Sequence, residues 1–154
     1  MIDFVKSLLT DFDPAKIFPD LSKFFGAMEL ILRIAVLVGP LCLLGFGLWY
    51  LLAATKEANH SVGYRFYWGM SSVEVWQFTQ RLAGWLFTVA GLLMTVVIFA
   101  VSVSFPQMQL TDMVWRAASC LVVELVVSVL LLLIVNLSAA FRFDRKGRHR
   151  RKRR

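Results

Sequence analysis

The sequence predicts an all-α integral membrane protein: three transmembrane helices, an N-terminal amphipathic helical segment and a short helix in the cytoplasmic loop. Three observations carry that prediction. First, 58% of the 154 residues are apolar and only 18% are charged, with a mean hydropathy of +0.68. A soluble domain runs at roughly 45–50% apolar and about 25% charged, and so short a chain has too little interior to hide the excess. Second, three apolar runs reach the ~20 residues that a helix needs to cross a bilayer. Third, the net charge of +7 is concentrated in one terminal stretch. This composition excludes a soluble enzyme and an intrinsically disordered chain.

The elements follow in order. Residues 1–30 form a mixed segment in which Phe4, Val5, Leu8, Leu9 and Phe12 fall at helical spacing between Asp3, Lys6 and Asp11. Asp13-Pro14 reads as an N-cap followed by proline at the first helical position. Pro19 breaks the chain again, so one or two short helices are expected at the interface, apart from the first span. The N-terminus lacks the charged start, short apolar core and cleavage site of a signal peptide. The first span, residues 34–54, has no charge over 21 residues. Ala35 and Gly39 form a small-xxx-small pair there, suited to close helix contact.

The loop 55–81 is the one sizeable polar connection. Ser71 with Glu74 three residues on matches a capping box. A helix is therefore expected from about Ser72, continuing into the second span or kinking near Gly84. The second span, residues 82–105, has no charge over 24 residues, and Gly84 and Gly91 lie seven apart on one face. A short, nearly neutral link, 106–116, leads to the third span, residues 117–141, whose single charge is Glu124. Strands are excluded because the runs are too long and show no alternation.

The tail 142–154 holds nine of the 17 basic residues and one acid, Asp144, so the remaining chain sums to −1. Basic residues near span ends mark the cytoplasmic side. The tail and the loop 55–81 are accordingly expected inside, and the link 106–116 and the N-terminus outside. Such a tail is expected to bind anionic headgroups at about 1 kcal/mol for each Lys or Arg near the surface. It has no interleaved aromatics beyond Phe141 and Phe143 at the membrane edge, so a topology anchor and lipid contact rank well above nucleic acid as its role.

Glu124 is the sharpest single residue on physical grounds. A carboxyl at the middle of a span costs about 2.5–3.5 kcal/mol on insertion scales and is a functional candidate by default. Cys120, Glu124 and Ser128 stand four residues apart and so share a helix face. They read either as a polar lining of the bundle or as hydrogen-bonding glue between helices. Arg33 is expected to snorkel to the outer interface. Neither a Cys/His spacing for metal nor a nucleophile–base set is present, and no cofactor is implied.

The loop is the specific part of the sequence. Asn59, Gly63, Arg65, Ser71, Glu74, Trp76, Thr79, Gln80, Arg81 and Gly84 follow one another at a spacing that resembles the signature of the SdpI family. These are small bacterial membrane proteins named for a toxin-immunity protein. The resemblance runs from the end of span one through span three and leaves out residues 1–30 and the tail. Phe66 departs from the pattern, where the family often has Thr after the Arg. The resemblance implies immunity to an antimicrobial peptide or protein toxin, without catalysis. It also implies a partner, either the toxin or a transcriptional repressor sequestered at the membrane. Arg65, Trp76 and Arg81 of the loop, with Glu124 in the bundle, are the residues expected to meet the toxin, the component it attacks or the repressor, in a bacterial inner membrane. A holin-like pore-former, or a small transport or scaffold subunit, is the alternative from another class.

Overall fold

A computed structural model describes residues 19–53, 71–144 and 147–148. It contains α1 (Pro19–Leu52), α2 (Val73–Ser102) and α3 (Leu110–Arg142), with a 3-10 turn at Phe105–Gln107 between the last two. Each long helix is long and apolar enough to cross a membrane. The 34 residues of α1 extend about 50 Å at 1.5 Å per residue, more than the ~30 Å hydrocarbon core. The surplus requires tilt or projection beyond the lipid.

α1 departs from the expected layout. No break separates an interfacial helix from the first span, because one helix runs from Pro19 through residue 30 to Leu52. Pro19 does not interrupt it. At a helix start the missing proline N–H would be unpaired in any case, and the fixed φ already suits the helix. The amphipathic pattern at residues 4–12 lies outside the described residues.

The three helices pack as an antiparallel pair, α1 and α2, with α3 running alongside α1. The pair α1/α2 is in register through glycines. Gly91 lies against the backbone of Leu44, and seven residues earlier Gly84 lies against Leu51. The seven-residue spacing of both partners keeps one seam facing one seam over two turns. The expected shared face of Gly84 and Gly91 is therefore the α1 contact.

α3 buries a single stripe: Met113, Ala117, Glu124, Leu131, Val135 and Ala139. The spacing follows the three-and-four pattern of one helix face. Cys120 and Ser128 fall on the same stripe, half-buried, as the sequence predicts. Packing forms three layers. Val36, Ile98, Phe105, Met113 and Ala117 fill the end distant from the tail. Ala83, Phe87, Leu131 and Val135 fill the middle and tail half. Val75, Ala139 and Phe143 close the tail-side end. Outside these layers the helices present apolar side chains outward. Leu125 is 65% exposed, whereas its neighbour Glu124 is 7% exposed. A carboxyl inside and leucine outside suits lipid as the surrounding solvent.

Candidate functional site

The tail-side end of the bundle gathers the described signature residues on the first three turns of α2. Its construction begins at the helix start. Ser72, extended at φ −160° and ψ 163°, is the N-cap, and its Oγ accepts the Val75 N–H at 3.3 Å. The cap therefore lies one residue beyond the expected Ser71, and Glu74 falls in the first turn, where a carboxylate faces the positive end of the helix dipole. From this cap the helix runs unbroken past Gly84, so the expected loop helix and the second span are one element.

The cap has a second partner. Ser72 Oγ also donates to the carbonyl of Gly147, at 3.0 Å. The chain reaches that point through a turn just after α3. The Gly147 N–H donates to the Asp144 carbonyl at 3.0 Å, and the Asp144 carboxylate accepts the Arg148 N–H at 2.8 Å. Gly147 has φ +71°, the left-handed region, and a Cβ there would press on the Ser72 side chain. Glycine is required on both counts. The start of the basic tail is thus fastened to the start of α2. Ser72→Ala should cost about 1 kcal/mol through the lost cap. It should also release the turn, measured as faster tryptic cleavage at Arg145 and Arg148 with the span helices intact.

From Ser72 onward, α2 has two faces. Val75, Trp76, Thr79, Gln80 and Ala83 point inward, and Trp76 is fully buried. Thr79 Oγ1 donates back to the Val75 carbonyl at 2.9 Å. Trp76, expected to meet a partner, has no exposed surface here and packs inside the bundle. Gly84 packs against Leu51 and is likewise internal. Glu74, Gln77, Arg81 and Trp85 form the outward stripe. It borders an open groove of about 440 Å³ whose opposite wall is Arg142 and Phe143 of α3. Arg142 Cζ lies 4.8 Å from the centre of the Phe78 ring, and Phe78 and Phe143 are 5.6 Å apart between ring centres. The guanidinium is thereby fixed over an aromatic face. Sequence reasoning counted Arg142 only as tail charge. The signal it passed over was Asp144 with Gly147 three residues on, a turn signature that returns the chain to α2.

Glu124 stands apart from this cluster. Its Oε2 rests against Gly39 of α1, where a Cβ would collide with it. The small residue at 39 makes room for the carboxyl. Its Oε1 is buried without a hydrogen-bond partner among the described residues. By the α1/α2 register, Glu124 lies roughly 20 Å along the bundle from Arg81. The two are not one site. Arg33 does not reach Glu124 either. It pairs with Glu29 at 2.8 Å and donates to the Ser102 carbonyl at 3.3 Å, capping the end of α2. Asn59, Gly63 and Arg65 lie outside the described residues. Among the described residues no three His, Cys, Asp or Glu side chains converge as a metal site.

The comparison with protein families fits the ordering of these residues. The sequence profile of the SdpI/YfhL protein family matches residues 55–138, more than half of the chain. The chain belongs to the SdpI/YfhL family. The matched segment begins in the loop, contains all of α2 and ends one residue short of Ala139, in the last turns of α3. All of α1 and the whole basic tail fall outside the SdpI/YfhL match, including Arg142, Phe143 and the Asp144–Arg148 turn. No curated protein and no solved structure matches the chain. Membership of the SdpI/YfhL family, with three helices able to cross a membrane, suggests a multi-pass membrane protein of the immunity type.

Proposed function

We propose that this SdpI/YfhL protein protects the cell that makes it from an antimicrobial peptide or protein toxin, by non-catalytic binding at the inner membrane. The observation that carries this is the family match over residues 55–138, together with the outward stripe Glu74, Gln77 and Arg81 within it. These side chains sit on a rigid helix, anchored from behind by buried Trp76 and fastened at its start by Ser72. A preorganised polar face of this kind loses little freedom on binding. The loop and the tail lie on the cytoplasmic side in this reading, so the partner there is the toxin's target or a transcriptional repressor held at the membrane.

Arg65, a signature residue of the loop, and Arg81 can each hold a carboxylate bidentately. Arg65→Ala and Arg81→Ala proteins, checked for normal membrane levels, should lose protection in a toxin challenge. Full protection by both variants would remove these residues from the partner surface. The holin-like alternative gives no reason for an ordered polar face at one end of the bundle.

A further inference from the structure

The groove between α2 and α3 lies at a definable depth. Arg81 immediately precedes the charge-free run 82–105, and Arg142 immediately follows the apolar run that ends at Phe141. Two arginines from different helices therefore meet at the same edge of the apolar belt. Lipid phosphates lie at that edge of a bilayer. Both arginines line the groove, together with Glu74, Phe78, Leu82 and Trp85.

Arg142 is held over Phe78, and Arg81 makes no hydrogen bond or ion pair among the described residues. One turn beyond Arg81, Trp85 is 62% exposed on the outward, lipid-facing side. Below the arginines the wall is Leu82 and Trp85, which suits an acyl chain. Glu74 stands two turns above, on the polar side of the guanidinium pair.

We propose that this groove is a specific site for one anionic phospholipid. Its phosphate sits between Arg81 and Arg142, and its acyl chain lies along Leu82 and Trp85. Arginine suits the phosphate because its fork of donors matches two oxygens at once. Two guanidiniums in one groove favour a lipid of net negative charge, such as phosphatidylglycerol, over zwitterionic phosphatidylcholine, whose trimethylammonium adds a positive charge beside them. The site differs from general attraction of lipid to the basic tail, because Arg142 is placed by α3 and by Phe78, not by the residues after 144. The site shares Arg81 with the proposed partner face, but Arg142 lies outside the family-matched segment, and lipid binding is read without any toxin or partner present.

The test is native mass spectrometry of the purified full chain, delipidated in detergent and titrated with phosphatidylglycerol or phosphatidylcholine. The wild-type chain should retain one phosphatidylglycerol at least about tenfold more tightly than phosphatidylcholine. Arg81→Gln/Arg142→Gln should abolish that preference. Arg81→Lys/Arg142→Lys, which keeps the charge and loses the fork, should weaken it about threefold. A chain with every Lys and Arg after Asp144 changed to Gln should keep it. Equal binding of the two lipids by the wild type, an unchanged preference in the Arg→Gln or Arg→Lys chain, or loss of preference in the tail-neutralised chain would each overturn the site. A toxin-challenge failure of Arg65→Ala leaves all of these readouts unchanged.

Discussion

Trp76→Ala should destabilise the tail-side end of the bundle by about 3–5 kcal/mol, the usual cost of removing a large buried aromatic. Trp76 has no exposed surface and belongs to the inward face of α2 with Val75, Thr79 and Gln80. The cavity would open beneath Glu74 and Arg81, so loss of protection in this variant follows from misplacement of the outward stripe. Trp76→Phe keeps much of the volume and should recover most of the stability. The check is thermal unfolding in detergent followed by circular dichroism, compared with Arg81→Ala. Arg81 is an exposed residue and its replacement should leave the unfolding temperature nearly unchanged. If Trp76→Ala unfolds at the wild-type temperature, the indole is not a packing residue and a direct partner contact must be reconsidered.

The second large effect is at Gly91. A Cβ there would stand 2.5 Å from the Leu44 backbone nitrogen and 2.8 Å from its Cα. Backbone cannot rotate away as a side chain can, so Gly91→Val must push α1 and α2 apart. The cost is about 3 kcal/mol, at the upper end of overpacking effects. Gly45 is the internal control. A Cβ there meets nothing within 4 Å, and Gly45→Val should leave the unfolding temperature within error. Equal stability of the two variants would mean that the helix seam is not where Gly84 and Gly91 place it.

The helical architecture was legible because lipid imposes it. Long charge-free runs can satisfy their backbone groups only as helices. The periodicity of α3 was legible for the same reason: a lone carboxyl, with Cys120 and Ser128 at helical spacing, turns to the only available interior. Local geometry was less so. Ser71 and Ser72 are both competent caps, and only the path of the tail selects Ser72, through the Gly147 carbonyl. Pro19 was read as a breaker because a proline's effect depends on whether it falls inside a helix or at its start. Trp76 was read as a partner contact because a tryptophan in a polar loop serves binding surfaces and cores alike, and the sequence does not say which. The groove escaped notice because its walls, Arg81 and Arg142, are 61 residues apart in sequence and meet only through the antiparallel packing of α2 and α3.

The central claim is protection of the producing cell, and induction of the chain in a toxin-sensitive bacterium tests it most directly. Survival and membrane potential would be followed together, before and after challenge with secreted toxins encoded by the source organism. The account predicts that induction leaves the potential intact and that induced cells survive at least one such toxin that kills uninduced cells. Collapse of the potential on induction alone, with no gain in survival, would contradict it and favour a holin-like pore.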